Sequence, residues 1–170
     1  MILDSLPTGP LQVNCYIIGC ERTRKAAVVD PGGDAEQILR LLHYHDLRLQ
    51  LVINTHGHFD HVGGNRQLLE ATGAELLIHR ADTALLTRAA AQAANFGLSA
   101  EISPAPQREL VGGEREHCFD VGLVGRLDLF RCDVHGLAPV DGSLNEIWPD
   151  SALRRFNWCV ATIRILVLSL

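Results

Sequence analysis

Between Thr55 and Asn65 the chain reads THGHFDHVGGN, which places His56, His58, Asp60 and His61 within six residues. Imidazole nitrogens and carboxylate oxygens are the donors that hold zinc, iron and manganese, and four of them in one short segment point to a metal centre. In extended backbone, residues two apart face the same side, so His56 and His58 are expected to grip one ion. The turn at Asp60 and His61 is then expected to face a neighbouring ion. A lone histidine is more often a surface or satisfied core residue, and short motifs match by chance. The flanking pattern argues against chance here.

That pattern is a strand followed by a helix. Leu49 to Asn54, LQLVIN, reads as a buried strand, and Gly63-Gly64-Asn65 opens a helical pattern with Leu68 and Leu69 inward and Gly73 as its stop. The donors therefore sit on a loop at the carboxyl end of a strand, where open α/β sheets commonly carry their sites. Upstream, strands are expected over residues 1–5, 11–18 and 26–30, with turns at Pro7–Pro10 and Gly19–Arg24. Pro31-Gly32-Gly33 ends the third strand, and Asp34 is placed to cap a helix with Ile38, Leu41 and Leu42 on its apolar side. His43 and His45 near its end favour the helix dipole rather than a metal. Ala74–His79 reads as a further strand and Ala81–Asn95 as one alanine-rich helix before a loop at Ser103–Pro106. This alternation predicts a layered α/β fold.

The chain has 170 residues, 47% hydrophobic and 21% charged, as expected for one globular domain with a real core. A net charge of −5 argues against general nucleic-acid binding and favours a small-molecule substrate. The first residues, MILDSLPTGP, lack the basic and apolar regions of a secretory signal, so a cytoplasmic location is expected. Cys15, Cys20, Cys118, Cys132 and Cys159 have no zinc-finger spacing and are expected to be free thiols, with Cys15 a small core filler. The apolar end, Val160–Leu170, is too short for a bilayer span, which takes about 20 residues, and reads as a buried strand or an exposed edge.

THGHFDHVGG resembles the signature of the metallo-β-lactamase-fold hydrolases. TGPLQVNCYIIG (residues 8–19) and AVVDPGGDAEQIL (27–39) resemble their glyoxalase II, or hydroxyacylglutathione hydrolase, branch, and the likeness runs on through GNRQLLEATGAELLIHRAD. It fades after about Gly113. The resemblance implies an αββα sandwich in a single domain, family-like over residues 1–113, with an atypical tail over 114–170 and so an incomplete or altered C-terminal half. It also implies zinc, as two ions, with iron or manganese as alternatives. His56 and His58 would hold the first ion and Asp60 and His61 the second, Asp60 also orienting the attacking hydroxide. Asp30, in VVDPG, would hold a ligand histidine; a plain turn-forming role is the competing reading. Gly57 is expected to give the backbone room to turn between ligands.

The family's remaining ligands, a histidine in T-P-G-H, an aspartate in G-D-x-L-F and a final histidine, have no matching segments here. His117 and His135 are the later histidines, and Asp120, Asp128, Asp133, Asp141 and Asp150 the later aspartates. His135, in DVHGLAPVDGS, is the better candidate for a third ligand, although its flanks do not match. A tail out of register with an ancestral reading frame, or a truncated and rebuilt domain, would account for the change. The function the resemblance implies is hydrolysis of an acyl thioester such as S-lactoylglutathione by a metal-bound hydroxide, with no nucleic-acid or membrane partner. The alternatives are a mononuclear-iron enzyme like the persulfide dioxygenases and a catalytically impaired metal-binding remnant.

Overall fold

The computed structural model describes residues 1–111 throughout and, beyond them, the backbone of three short strands. Six strands form one sheet in sequence order: β1 (Ile2–Thr8), β2 (Val13–Gly19), β3 (Lys25–Val29), β4 (Arg48–Asn54), β5 (Glu75–His79) and β6 (Arg108–Leu110). The first three pair antiparallel through short turns, whereas β3 to β6 pair parallel. Parallel neighbours need long crossovers. These are supplied by α1 (Ala35–Tyr44) after β3, by α2 (Phe59–Val62) and α3 (Asn65–Thr72) after β4, and by α4 (Thr83–Leu86) and α5 (Ala89–Ala94) after β5. A separate antiparallel sheet contains β7 (Arg115–Glu116), β8 (Arg126–Leu129) and β9 (Ile163–Leu166).

The central strands are buried on both faces, which is why KAAVV and LQLVIN read as near-continuous apolar runs rather than alternating ones. One face carries Ala26, Val28, Leu49, Val52, Leu76 and Ile78, packed with Ile38 and Leu42 of α1, Leu68 of α3 and Ala89 and Ala93 of α5. The opposite face carries Ile18, Ala27, Val29, Leu51, Ile53, Leu77 and Leu110. Strict alternation would put Leu49 and Leu51 on the same side. The register shift between Ala26 and Ala27, opposite Leu49 and Leu51, inserts an extra residue in β4 and reverses the phase. From Val52 onward the even positions therefore face the helices, and Asn54 ends the strand on that side.

Several local expectations are corrected. β1 runs on through Pro7 to Thr8, with the turn at Gly9–Gln12, and an edge strand tolerates the missing amide hydrogen. Asp34 adopts left-handed backbone (φ 51°, ψ 37°) and makes no capping bond to its helix; its carboxylate accepts from the Gly9 amide at 2.8 Å, tying the β1–β2 turn to the Pro31–Gly33 loop. The alanine-rich stretch forms two short helices instead of one, because α4 packs against the motif loop at Gly57 while α5 turns to meet α2. His45 is not only a dipole partner: its Nε2 lies 2.9 Å from Asp4 Oδ2, joining the end of α1 to β1. Cys15 fills core space, and burial pushes its thiol well above the usual range. His117, His135, Asp120, Asp133, Asp141 and Asp150 lie outside the described residues, and Asp128 is described only as a backbone position in β8.

Candidate metal centre

β4 lies between β3 and β5, and its carboxyl end delivers Asn54 and Thr55 beside the end of β3. The Asp30 amide continues the ladder by donating to Ile53 O at 3.0 Å. Asp30 then takes left-handed backbone, φ 50°, a conformation that aspartate tolerates better than most residues. Its carboxylate makes no bond within its own turn. One oxygen accepts from the Thr55 amide at 2.8 Å, and the other accepts from the Thr55 hydroxyl at 2.6 Å and lies 3.1 Å from His61 Nδ1. The competing turn-forming role for Asp30 therefore gives way to a buried support for the motif. The His61 contact is within ion-pair distance but off the hydrogen-bonding axis, so that ring nitrogen has no aligned partner among the described residues.

The hydrogen bonds determine the proton position on His56. A carboxylate oxygen only accepts, so Thr55 spends its single hydroxyl hydrogen on Asp30. The Thr55 oxygen, 3.0 Å from His56 Nδ1, must then accept, which puts the imidazole proton on Nδ1 and leaves Nε2 bare for a ligand. Burial, and next the neighbouring His61, push the His56 pKa down to about 4, so the ring is neutral near pH 7. For His61, burial opposes charge, but the carboxylates of Asp30 and Asp60 outweigh it and shift its pKa upward.

The His56 and His58 ring centroids are 4.5 Å apart, edge to face, as residues two apart in extended backbone should be. His61 arrives from the helical turn of α2, its centroid 4.1 Å from that of His56. Three imidazoles thus share one pocket, with the Asp60 carboxylate 3.6 Å from His61 Nε2. Two ligand atoms held at about 2.0–2.1 Å from one tetrahedral ion sit roughly 3.4 Å apart, so the Asp60–His61 spacing fits a shared cation. Among the described residues no three His, Cys, Asp or Glu side chains already surround a common point. The donor chemistry and this one pair fit a metal.

Close backbone approaches hold the loop. A Cβ on Gly57 would come within 2.6 Å of Leu85 Cβ and 2.8 Å of the Asp82 carbonyl. Gly57 thus serves packing against α4, instead of the turning room expected from the sequence. A Cβ on Gly32 would collide with the Asp60 carbonyl, and one on Gly63 with the Gly32 carbonyl. The Phe59 amide donates to Gln92 Oε1 of α5 at 3.2 Å. A cleft of about 420 Å³ adjoins this joint, lined by Gly9, Gly32, Phe59, Gly63 and Glu101 among others, and none of the four donor side chains lines it. It lies along the α2 backbone and is not the reactive pocket. Thr55, Asn54, Asn65, Ser103 and Gln92 are supporting residues that motif spacing does not reveal; the one hint in the sequence is a polar Asn54 closing an otherwise apolar strand.

Comparison with known proteins agrees with this fold. The chain is 36% identical over 99 residues to hydroxyacylglutathione hydrolase GloC of Haemophilus influenzae, covering 58% of this chain and 46% of that protein. It spans about half the length of the curated relatives it matches. The crystal structure of TTHA1623 in a di-iron-bound form is 33% identical, with a TM-score of 0.62 over 66% of this chain and 56% of that one. BLEG-1 B3 metallo-beta-lactamase, 22% identical, shares the fold with a TM-score of 0.64 over 75% of this chain and 59% of that one. The profile of the Metallo-beta-lactamase superfamily matches residues 8–146, past the Gly113 at which resemblance fades to the eye. With the motif loop at the end of β4, the three clustered imidazoles and a profile match over most of its length, the chain belongs to the metallo-beta-lactamase superfamily.

Proposed function

We propose that this protein is a cytoplasmic metal-dependent hydrolase of the glyoxalase II type, cleaving an acyl thioester similar to S-lactoylglutathione. The observation that supports this best is the grouping of His56, His58 and His61 with Asp60 over the Asp30–Thr55 support, in a chain with hydroxyacylglutathione hydrolase relatives. His56 and His58 would hold one zinc ion, and Asp60 with His61 a second. Bound ions of this kind lower the pKa of water to about 7 and polarise a carbonyl. The chain's own groups do the rest. Asp30 and Thr55 keep Nε2 of His56 free of its proton, and Asp60 accepts a hydrogen bond from the attacking water and aims it at the thioester carbon. The C–S bond breaks, water supplies the new C–O bond, and the sulfur leaves as a thiol with a proton from that water.

Thioester turnover by the full chain with added zinc tests the reading, with free thiol as the product measured. Zinc-dependent thiol release, and a 10-fold or greater loss of bound metal in His58→Ala, on the scale of what losing a supporting partner alone costs, are expected. A chain that binds metal and releases no thiol would overturn the substrate class. The di-iron form of a 33% identical structure favours a parallel assay with iron, where oxygen uptake would mark the persulfide-dioxygenase-like alternative.

A further inference from the structure

We infer that Asn54, Asn65 and Ser103 are positioning residues of the metal centre, a buried chain of hydrogen bonds that holds the His61 carbonyl and with it the turn bearing Asp60 and His61. The inference deepens the metal-dependent reading and takes its functional meaning from it.

All three side chains are buried. Asn54 Nδ2 donates to His61 O at 3.0 Å, and Asn65 Nδ2 donates to Asn54 Oδ1 at 2.7 Å and to Ser103 Oγ at 2.8 Å. The Ser103 hydroxyl in turn donates to Pro104 O at 3.2 Å. These directions are interdependent. Turning the Asn65 amide over would set its oxygen against Asn54 Oδ1, and turning Asn54 over would set oxygen against the His61 carbonyl.

The turn needs such help. α2 has four residues and no side-chain cap, so it cannot sustain itself, and a carbonyl so near its end has no helical amide to meet. Asn54 supplies that amide from the end of the central strand β4. Asn65, the first residue of α3, and Ser103, on the loop before β6, brace Asn54 from two further segments. Stability alone gives weak reason for this arrangement, because among the described residues Asn65 Oδ1 is buried without a partner. An unsatisfied buried group is costly, whereas apolar replacement of both members of a bonded pair can be nearly neutral. The polar chain gives a fixed place for the His61 backbone, which leucines could not provide.

The test uses the full chain carrying Asn54→Leu, Asn65→Leu, both together, or Ser103→Ala. Three quantities are read: unfolding of the metal-free protein, zinc affinity by titration, and the His61 ring resonances of the metal-free protein by NMR. Each single leucine variant should be destabilised, and the double variant should recover the part of the loss that comes from the Asn54–Asn65 bond, while the His61 carbonyl stays without its donor. A role in stability alone would restore zinc affinity along with the fold. The positioning role instead keeps zinc binding about 10-fold weaker in the double variant, with displaced or broadened His61 resonances. Ser103→Ala leaves Asn54 on the carbonyl and should cost less affinity than Asn54→Leu. A stable double variant with unchanged zinc affinity and unmoved His61 resonances overturns the inference, as does a greater loss from Ser103→Ala. Should the unmodified chain bind no zinc, the metal reading fails by itself, and the His61 resonances still decide the positioning role.

Discussion

Thr55 has one hydroxyl hydrogen and two neighbours, Asp30 and His56, and which neighbour receives it determines what His56 can do. Because the carboxylate receives it, the histidine ring keeps its own proton on the side away from any ligand. Thr55→Val preserves the shape and removes the relay. It should weaken zinc binding about 10- to 100-fold, the usual cost of losing a partner behind a ligand histidine. Titration calorimetry against the unmodified chain checks this, and equal affinity would show that the ring orients itself. Asp60 allows a sharper kinetic test. If it aims the attacking water as well as holding an ion, Asp60→Asn should depress kcat much more than it raises KM, since the lost interaction belongs to the transition state. A fall carried by KM alone would reduce Asp60 to a binding group.

Elements differ in how plainly the chain spells them. Asp4 and His45 link β1 to the end of α1, and the hydrogen bond from His45, opposed in part by burial, lowers the Asp4 pKa below its ordinary 3.8. A lowered carboxylate stabilises the fold above its ordinary value and loses that contribution as pH falls through the lowered one. Asp4→Asn should therefore cost less than about 1 kcal/mol at neutral pH, given the partial exposure of the pair. The difference should shrink in denaturation curves as pH falls below 3.8 and vanish once the pH is under the lowered value. A gap that persists there would mean the link is not electrostatic. This pair was not legible in the sequence, since 41 residues separate its members. The strands were legible, because burial on both faces writes apolar runs such as LQLVIN directly into the chain. Alanine is neutral about where a helix stops, so the break between α4 and α5 was hidden; it depends on contacts with Gly57 and α2. Asp34 misled for a related reason: the residue type suits a helix cap, but the nearby Gly9 amide claims its carboxylate.

At the scale of the whole molecule, the described residues supply four donors from one loop, and a catalytic zinc usually takes at least three protein ligands for itself. Two such ions are more than this loop can satisfy alone. The unmodified chain should then bind fewer than two zinc ions tightly, as counted by elemental analysis after dialysis. Grafting a C-terminal part that carries T-P-G-H and G-D-x-L-F should raise the count to two and speed the slow thioester hydrolysis of the unmodified chain. Two tightly bound ions and brisk turnover in the unmodified chain would instead assign the missing positions to His135 or His117 and a later aspartate. The motif made four candidate site residues readable from spacing alone. Their supports were not, because Asp30 and Ser103 are brought to the loop by the sheet and its crossovers rather than by proximity in the chain.

The backbone contacts at Gly32 and Gly63 bear on how this protein would decay. Those glycines serve shape, and the fold requires them whether or not any reaction takes place. Histidines 56, 58 and 61 are under no such obligation, since apolar side chains of similar size could fill the same pocket. A descendant freed from chemistry would therefore lose its histidines first and keep its glycines. In sequences descended from this one, the two sets become separate clocks: histidines lost beside intact glycines date the end of catalysis, and both kept together mark a site still under selection.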